Sequence, residues 1–177
     1  TGNKINSDQI EALLDIDSKL ILSQELKFDT NNSIEFELNK QNRIENYKLN
    51  SNLKISELEL FYKDRELKKF LPEYKDKIFL KDNLIEINLN NEIKDIKLKG
   101  SYSIDNNLFD SFKINLVHNS GILDFDSNIN LNNLFLNLKP LNYKKNKKIN
   151  SNLILKGRHN KDLRLNRIEY KENLNII

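Results

Sequence analysis

Apolar and polar residues alternate with a period of two along most of this chain, the pattern of strands that present one apolar and one polar face. Ile34, Phe36 and Leu38 alternate with Glu35 and Glu37, and Ile85, Ile87 and Leu89 with Glu86 and Asn88. Ile96, Leu98, Gly100, Tyr102 and Ile104 keep one phase across nine residues. Phe112, Ile114 and Leu116 follow, then Leu123, Phe125, Ile129 and Leu131, then Leu134, Leu136 and Leu138. Ile149, Leu153 and Leu155, then Leu163 and Leu165, then Ile168 and Tyr170 close the series. Short polar connectors separate these runs: 29–33, 90–91, 105–107, 118–121 and 158–161. Connectors this short join antiparallel neighbours, because a parallel return needs a crossover of roughly a dozen residues. The pattern predicts a mostly β chain, an antiparallel meander curved into an open groove.

Helical signals stand at two places. Residues 64–71 (Asp-Arg-Glu-Leu-Lys-Lys-Phe-Leu) run into Pro72, whose ring stops a helix, and one or two turns fit there. Residues 7–14 offer Ser7 as N-cap, acids in the first turn and Ile10, Leu13 and Leu14 on one face. So little helix cannot cover a long apolar sheet face, which must meet a second sheet, a helix or a ligand.

Composition narrows the function classes. The 177 residues make one domain or a piece of a larger one, and the absence of Met together with a start at Thr1 leads us to expect residues 1–177 to be a segment of a longer protein. Hydrophobic residues make up 38% and mean hydropathy is −0.66, polar for a globular chain, yet the apolar positions are too regular for a disordered tail. The abundant Asn, Lys, Ile and Leu match A- and T-rich codons. With 29 Lys plus Arg against 26 Asp plus Glu, interspersed, there is no electrostatic footprint for nucleic acid. No apolar run exceeds three residues, too short for a membrane span or signal peptide. Residues 49–55 (Leu-Asn-Ser-Asn-Leu-Lys-Ile) and 149–155 (Ile-Asn-Ser-Asn-Leu-Ile-Leu) echo each other; true repetition would imply a stacked β array, and Asn abundance offers coincidence as the competing explanation.

Catalytic patterns are nearly absent. Zero Cys excludes disulfides and thiolate chemistry, and the four glycines (Gly2, Gly100, Gly121, Gly157) are isolated, so no phosphate loop forms. His118 and His159 both stand in turn-like sequence without a patterned partner and read as solvated turn residues, expected to be dispensable for activity. Asp124 and Asp126 share one strand face; the pair could hold a hard cation or act as acid and base, but no calcium loop surrounds it and a solvated polar face is the plainer reading. Asn31-Asn32-Ser33 fits the glycosylation pattern in a chain full of Asn. Lys139, Lys144, Lys145, Lys147 and Lys148 bracket Pro140 and Tyr143, either as a contact for anionic headgroups or as a solvated loop at a sheet edge. No catalytic residue, metal ligand or cofactor site is expected.

Several segments together resemble the AsmA-like superfamily, in its YhdP and TamB branch of large envelope proteins. They are Asn128-Ile129-Asn130-Leu131-Asn132-Asn133-Leu134, Leu138-Lys139-Pro140-Leu141-Asn142-Tyr143-Lys144-Lys145, and Asn150-Ser151-Asn152-Leu153 with Gly157. Upstream, Leu60-Phe61-Tyr62, Glu66 to Pro72, Leu80-Lys81-Asp82 and Ile96-Lys97-Leu98-Lys99-Gly100 are similar to the short helix and strands of that branch. Where the family often carries Trp before the Lys, this chain has Tyr143. The resemblance spans about Tyr47 to Tyr170. It implies a non-enzymatic protein of the periplasm, anchored in the inner membrane through a segment outside this one, that conducts phospholipid between inner and outer membranes along a β-groove. The expected groove-lining residues, in contact with phospholipid acyl chains, are Ile96, Leu98, Tyr102, Ile104, Ile114, Leu116, Leu123, Phe125, Ile129 and Leu131. The same positions would also suit the dry core of a closed β-sandwich. A structural or adhesive β module that binds protein partners through edge strands is the competing function. A β-solenoid hydrolase would need clustered carboxylates beyond Asp124 and Asp126.

Overall fold

The computed structural model of the chain describes residues 3–5 and 26–172. Among them nine strands form one sheet: β1 (Asn3–Ile5), β2 (Leu26–Leu38), β3 (Ile44–Phe61), β4 (Lys77–Asn90), β5 (Ile93–Ser103), β6 (Asp110–Asn119), β7 (Ile122–Asn130), β10 (Ser151–His159) and β11 (Leu163–Glu172). Their spatial order is their chain order, every pairing is antiparallel, and the sheet does not close into a barrel. The mostly antiparallel, open β meander expected from the alternation is the fold found. Two smaller strands, β8 (Leu136–Leu138) and β9 (Tyr143–Lys145), pair separately around a 3-10 turn at Lys139–Leu141.

Register brings the alternating apolar residues onto one side. Successive Cα partners run Asn32, Ser51, Ile87, Ile96, Leu116, Phe125, Gly157, Leu165 across the sheet. A second row runs Thr30, Leu53, Ile85, Leu98, Ile114, Ser127, Leu155, Ile168. Because side chains two apart share a face, these rows stack into one surface that is largely apolar from β4 to β11 and polar at Thr30, Asn32, Ser51 and Ser127. Neighbouring strands lie about 4.8 Å apart, so each row is a nearly uninterrupted line of side chains.

Two irregularities keep that surface in phase. Opposite Gly100, β4 carries both Asp82 and Asn83, with Asp82 at φ 52°, a bulge that turns Asn83 inward. A Cβ on Gly100 would collide with the Asn83 side chain, so the glycine makes room for it. In β11 the extra residue is Asn166, and Gly157 across from it lies beneath the Phe125 ring, whose Cζ would stand 2.5 Å from an added Cβ.

The linker between β3 and β4 carries the one helix expected at 64–71. It forms α1 (Arg65–Phe70), capped by Asp64, whose Oδ1 accepts from the backbone N–H of Glu66 at 2.7 Å and of Leu67 at 3.0 Å. Those bonds, that from Leu67 foremost, hold the Asp64 carboxyl below its ordinary range. At the other end Leu71 N–H donates to Leu67 O at 2.8 Å before Pro72 ends the helix. The helix expected at 7–14 lies outside the described residues. The connector expected at 29–33 is not one: β2 runs straight through it, and Asn32 Oδ1 accepts from Ser51 Oγ of β3 at 2.5 Å. Leu134 and Ile149, read as strand residues, fall in the loops that flank β8 and precede β10. The two echoing segments both lie in this single sheet, in β3 and at the start of β10, with β4 to β7 between them, and form no stacked layers.

Candidate functional site

Among the described residues, the apolar side of the sheet is covered along one flank and open along the other. On the covered flank, Leu71 and Tyr74 from the segment after α1 and Leu134 and Leu136 from the β8 region close over Ile104 and Leu131. Ile104 and Leu131 are 6% and 8% exposed and sit just past the ends of β5 and β7. Tyr102, Ile129, Ile78 and Leu153 pack against the same cluster. Of the ten expected groove residues, Ile104 and Leu131 are therefore core under a lid, and Tyr102 and Ile129 form its border. The other six, Ile96, Leu98, Ile114, Leu116, Leu123 and Phe125, lie on the open flank and are half-buried. Register adds residues to this surface that the expectation left out: Leu53, Ile85 and Ile87 on one side and Leu155 on the other. Alternation marked Ile85, Ile87 and Leu155 as strand residues, but only pairing shows that they share rows with Leu98 and Leu116.

Polar side chains lock the lid in place. Lys145 in β9 is completely buried, and its Nζ donates to Leu134 O at 2.8 Å, Asn146 O at 3.1 Å and Asn132 O at 3.3 Å. Burial lowers its pKa, and the nearby Asp110 carboxylate works against that shift. Asp110, itself buried, accepts from Asn133 N at 2.8 Å, and burial raises its pKa against the pull of Asn133 and Lys145. Lys147 Nζ reaches Glu73 at 2.6 Å and Asp105 at 3.2 Å, tying the α1 segment to the β5–β6 turn. Tyr74 donates its hydroxyl to Tyr62 O, and burial pushes that hydroxyl up to about 12. Tyr143 of β9 packs edge-on against Tyr170 of β11 and donates to Glu172. The lysine cluster is thus neither a headgroup patch nor a solvated loop as a whole, since Lys145 and Lys147 are structural.

The opposite side of the sheet is charged and internally paired. Arg158 clamps Asp124 with two bonds of 2.7 and 3.0 Å, and Lys156 meets Asp126 at 2.6 Å, so the two carboxylates point at β10 cations rather than at one shared centre. The guanidinium holds Asp124 below its ordinary range. A cleft of about 250 Å³ on this side is lined by Lys113, Asn115, Asp126, Lys156 and Arg167, with mixed charge. Among the described residues no three His, Asp or Glu side chains gather as a metal site, and no helix is long and apolar enough to cross a membrane.

The histidines differ from the expectation. His118 and His159 are strand residues, the last but one of β6 and the last of β10, and both pair with Leu123 on the apolar side. Lys94 of β5 is the partner of His118 from the other direction. Each turn begins after its histidine, at Ser120 and at Asn160, and the phase Ile114, Leu116, His118 is the signal that puts His118 on the apolar side. No family model, curated protein or solved structure matches the chain.

Proposed function

We propose that this chain is a lipid-conducting segment of a bacterial envelope protein of AsmA-like kind, in which phospholipid acyl chains lie on the open flank of the apolar face. The observation that carries the reading is an unclosed sheet whose paired rows are largely apolar from β4 to β11 while, among the described residues, the lid covers one flank. Each Leu- or Phe-sized side chain so covered contributes about 1.5–3 kcal/mol, so a row of them holds a hydrocarbon chain without any charged contact. In this reading the segment is periplasmic, its anchor lies elsewhere, and its role is transfer rather than catalysis. Substituting Leu98→Asp or Phe125→Asp places an unpaired carboxylate in the tail path. We expect each to abolish phospholipid recovery with the purified protein while the fold, followed by circular dichroism, persists. Undiminished lipid in both variants contradicts the proposal.

One observation favours the competing reading of an adhesive module. The outermost long strands β2 and β11 expose apolar residues, with Ile34 at 64% and Ile168 at 63%, and exposed apolar edges accept a further strand.

A further inference from the structure

The ionisable groups on the apolar side are segregated. Among the described residues, the positions paired in register on that side are uncharged throughout β2, β3, β4 and β7. The exceptions are Lys94, His118 and His159, which share one row, and two acids at the lid end, Asp110 of β6 and Glu172 of β11, the latter accepting from Tyr143 and Tyr170. That row runs Ile34, Leu49, Leu89, Lys94, His118, Leu123, His159, Leu163 along the rim opposite the lid. Asp110 is buried and held by Asn133, so the acid is sealed away from the rim. Lys94 and His159 are exposed and His118 half-buried, so the basic groups are open to a ligand. Asp95, next to Lys94 in the chain, faces the opposite side, where it meets Lys97 at 3.4 Å, and Glu92 stands in the β4–β5 turn.

We propose that Lys94, His118 and His159 form a binding site for the phosphate head of an anionic amphiphile whose tails lie on the next rows inward. The inference rests on the lipid reading above and adds its headgroup class. Lys94 and His118 are direct cross-strand partners with Cβ atoms about 5 Å apart, close enough to donate to one phosphate. His159 stands two strands further on, about 10 Å away, and meets the same head from beyond Leu123 or a second head beside it. The row just inside supplies Ile96, Leu116 and Phe125 for the tails. A rim of donors with no acid in the row favours a head with net negative charge over one that also carries an ammonium. The histidines thereby gain a role that their sequence context denied them.

The test uses the full chain with two sets of vesicles that differ only in the fluorescent tracer, phosphatidylglycerol or phosphatidylcholine, and measures the tracer bound per protein. Binding of the phosphatidylglycerol tracer is expected to exceed that of phosphatidylcholine roughly tenfold, the scale of a charge-assisted pair. Lys94→Gln with His118→Gln should erase the preference and leave residual binding of both, and His159→Gln should reduce it. Lys97→Gln and Lys113→Gln on the opposite face should keep it. Equal binding of both tracers by the unaltered chain overturns the headgroup site and leaves the lipid reading standing. Binding of neither overturns both. Displacement of the tracer by an equal concentration of inorganic phosphate would mark a site for the free anion and also overturns the proposal.

Discussion

Single residues show how this chain uses polar side chains to hold an apolar sheet. Asp105, in the β5–β6 turn, accepts from Ser103 Oγ at 2.9 Å, Asn107 N at 3.0 Å, Leu108 N at 3.4 Å and Lys147 Nζ at 3.2 Å. Burial alone would raise its pKa, but these donors bring it down to about 2, from an ordinary 3.8. A carboxyl depressed on folding adds stability that is complete above its unfolded pKa and lost as pH falls through the folded value. Asp105→Asn should therefore lower the melting temperature near neutral pH, with the gap to the unaltered protein closing as pH falls from about 4 to about 2. Thermal melts across that range check it, and a gap independent of pH would show that the charge contributes nothing. This scale was also the least legible in the sequence. Lys145 looks like any of its four lysine neighbours until the surrounding carbonyls are known. His118 is masked by the Asn119, Ser120 and Gly121 that follow it and His159 by its neighbours Gly157 and Asn160, because turn propensity is local and facing direction is set by the strand.

Elements are more legible than single residues, since alternation is a physical consequence of burying one face of a strand. Ile96 to Ile104 and Phe112 to Leu116 gave β5 and β6 with the correct apolar side. Asp29 to Ser33 failed because its residues favour turns, whereas in β2 they join a polar ladder with Ser51 that only pairing supplies. Near Ile55 and Leu80 the period slips by one residue to accommodate the Asp82 bulge, which a strict alternation rule reads as a strand end. Leu134, Leu136 and Leu138 alternate as a strand of the main sheet would, so the pattern does not show that β8 pairs with β9 instead and serves as a lid. The stability of this lid rests on Lys145, and Lys145→Met keeps the volume while leaving three carbonyls without their donor. An unpaired buried acceptor costs about 1–3 kcal/mol, so chemical denaturation should show a loss of about 3 kcal/mol or more. A loss below about 1 kcal/mol would mean that water replaces the ammonium.

For the whole molecule, the consequence of an open meander is an amphiphilic plate with three zones. The lid flank is a dry core, the middle rows are apolar and half-buried, and the opposite rim carries Lys94, His118 and His159. The outer face holds its charges in pairs such as Arg158 with Asp124, which leaves the apolar side as the place where a ligand gains most. The central claim, that the middle rows carry acyl chains, is tested most directly by photo-crosslinking in cells. Crosslinkers at Leu98, Ile114 and Phe125 should capture phospholipid, while those at Lys97, Lys113 and Asp124 on the reverse face should not. Equal capture on both faces, or none on either, would contradict it.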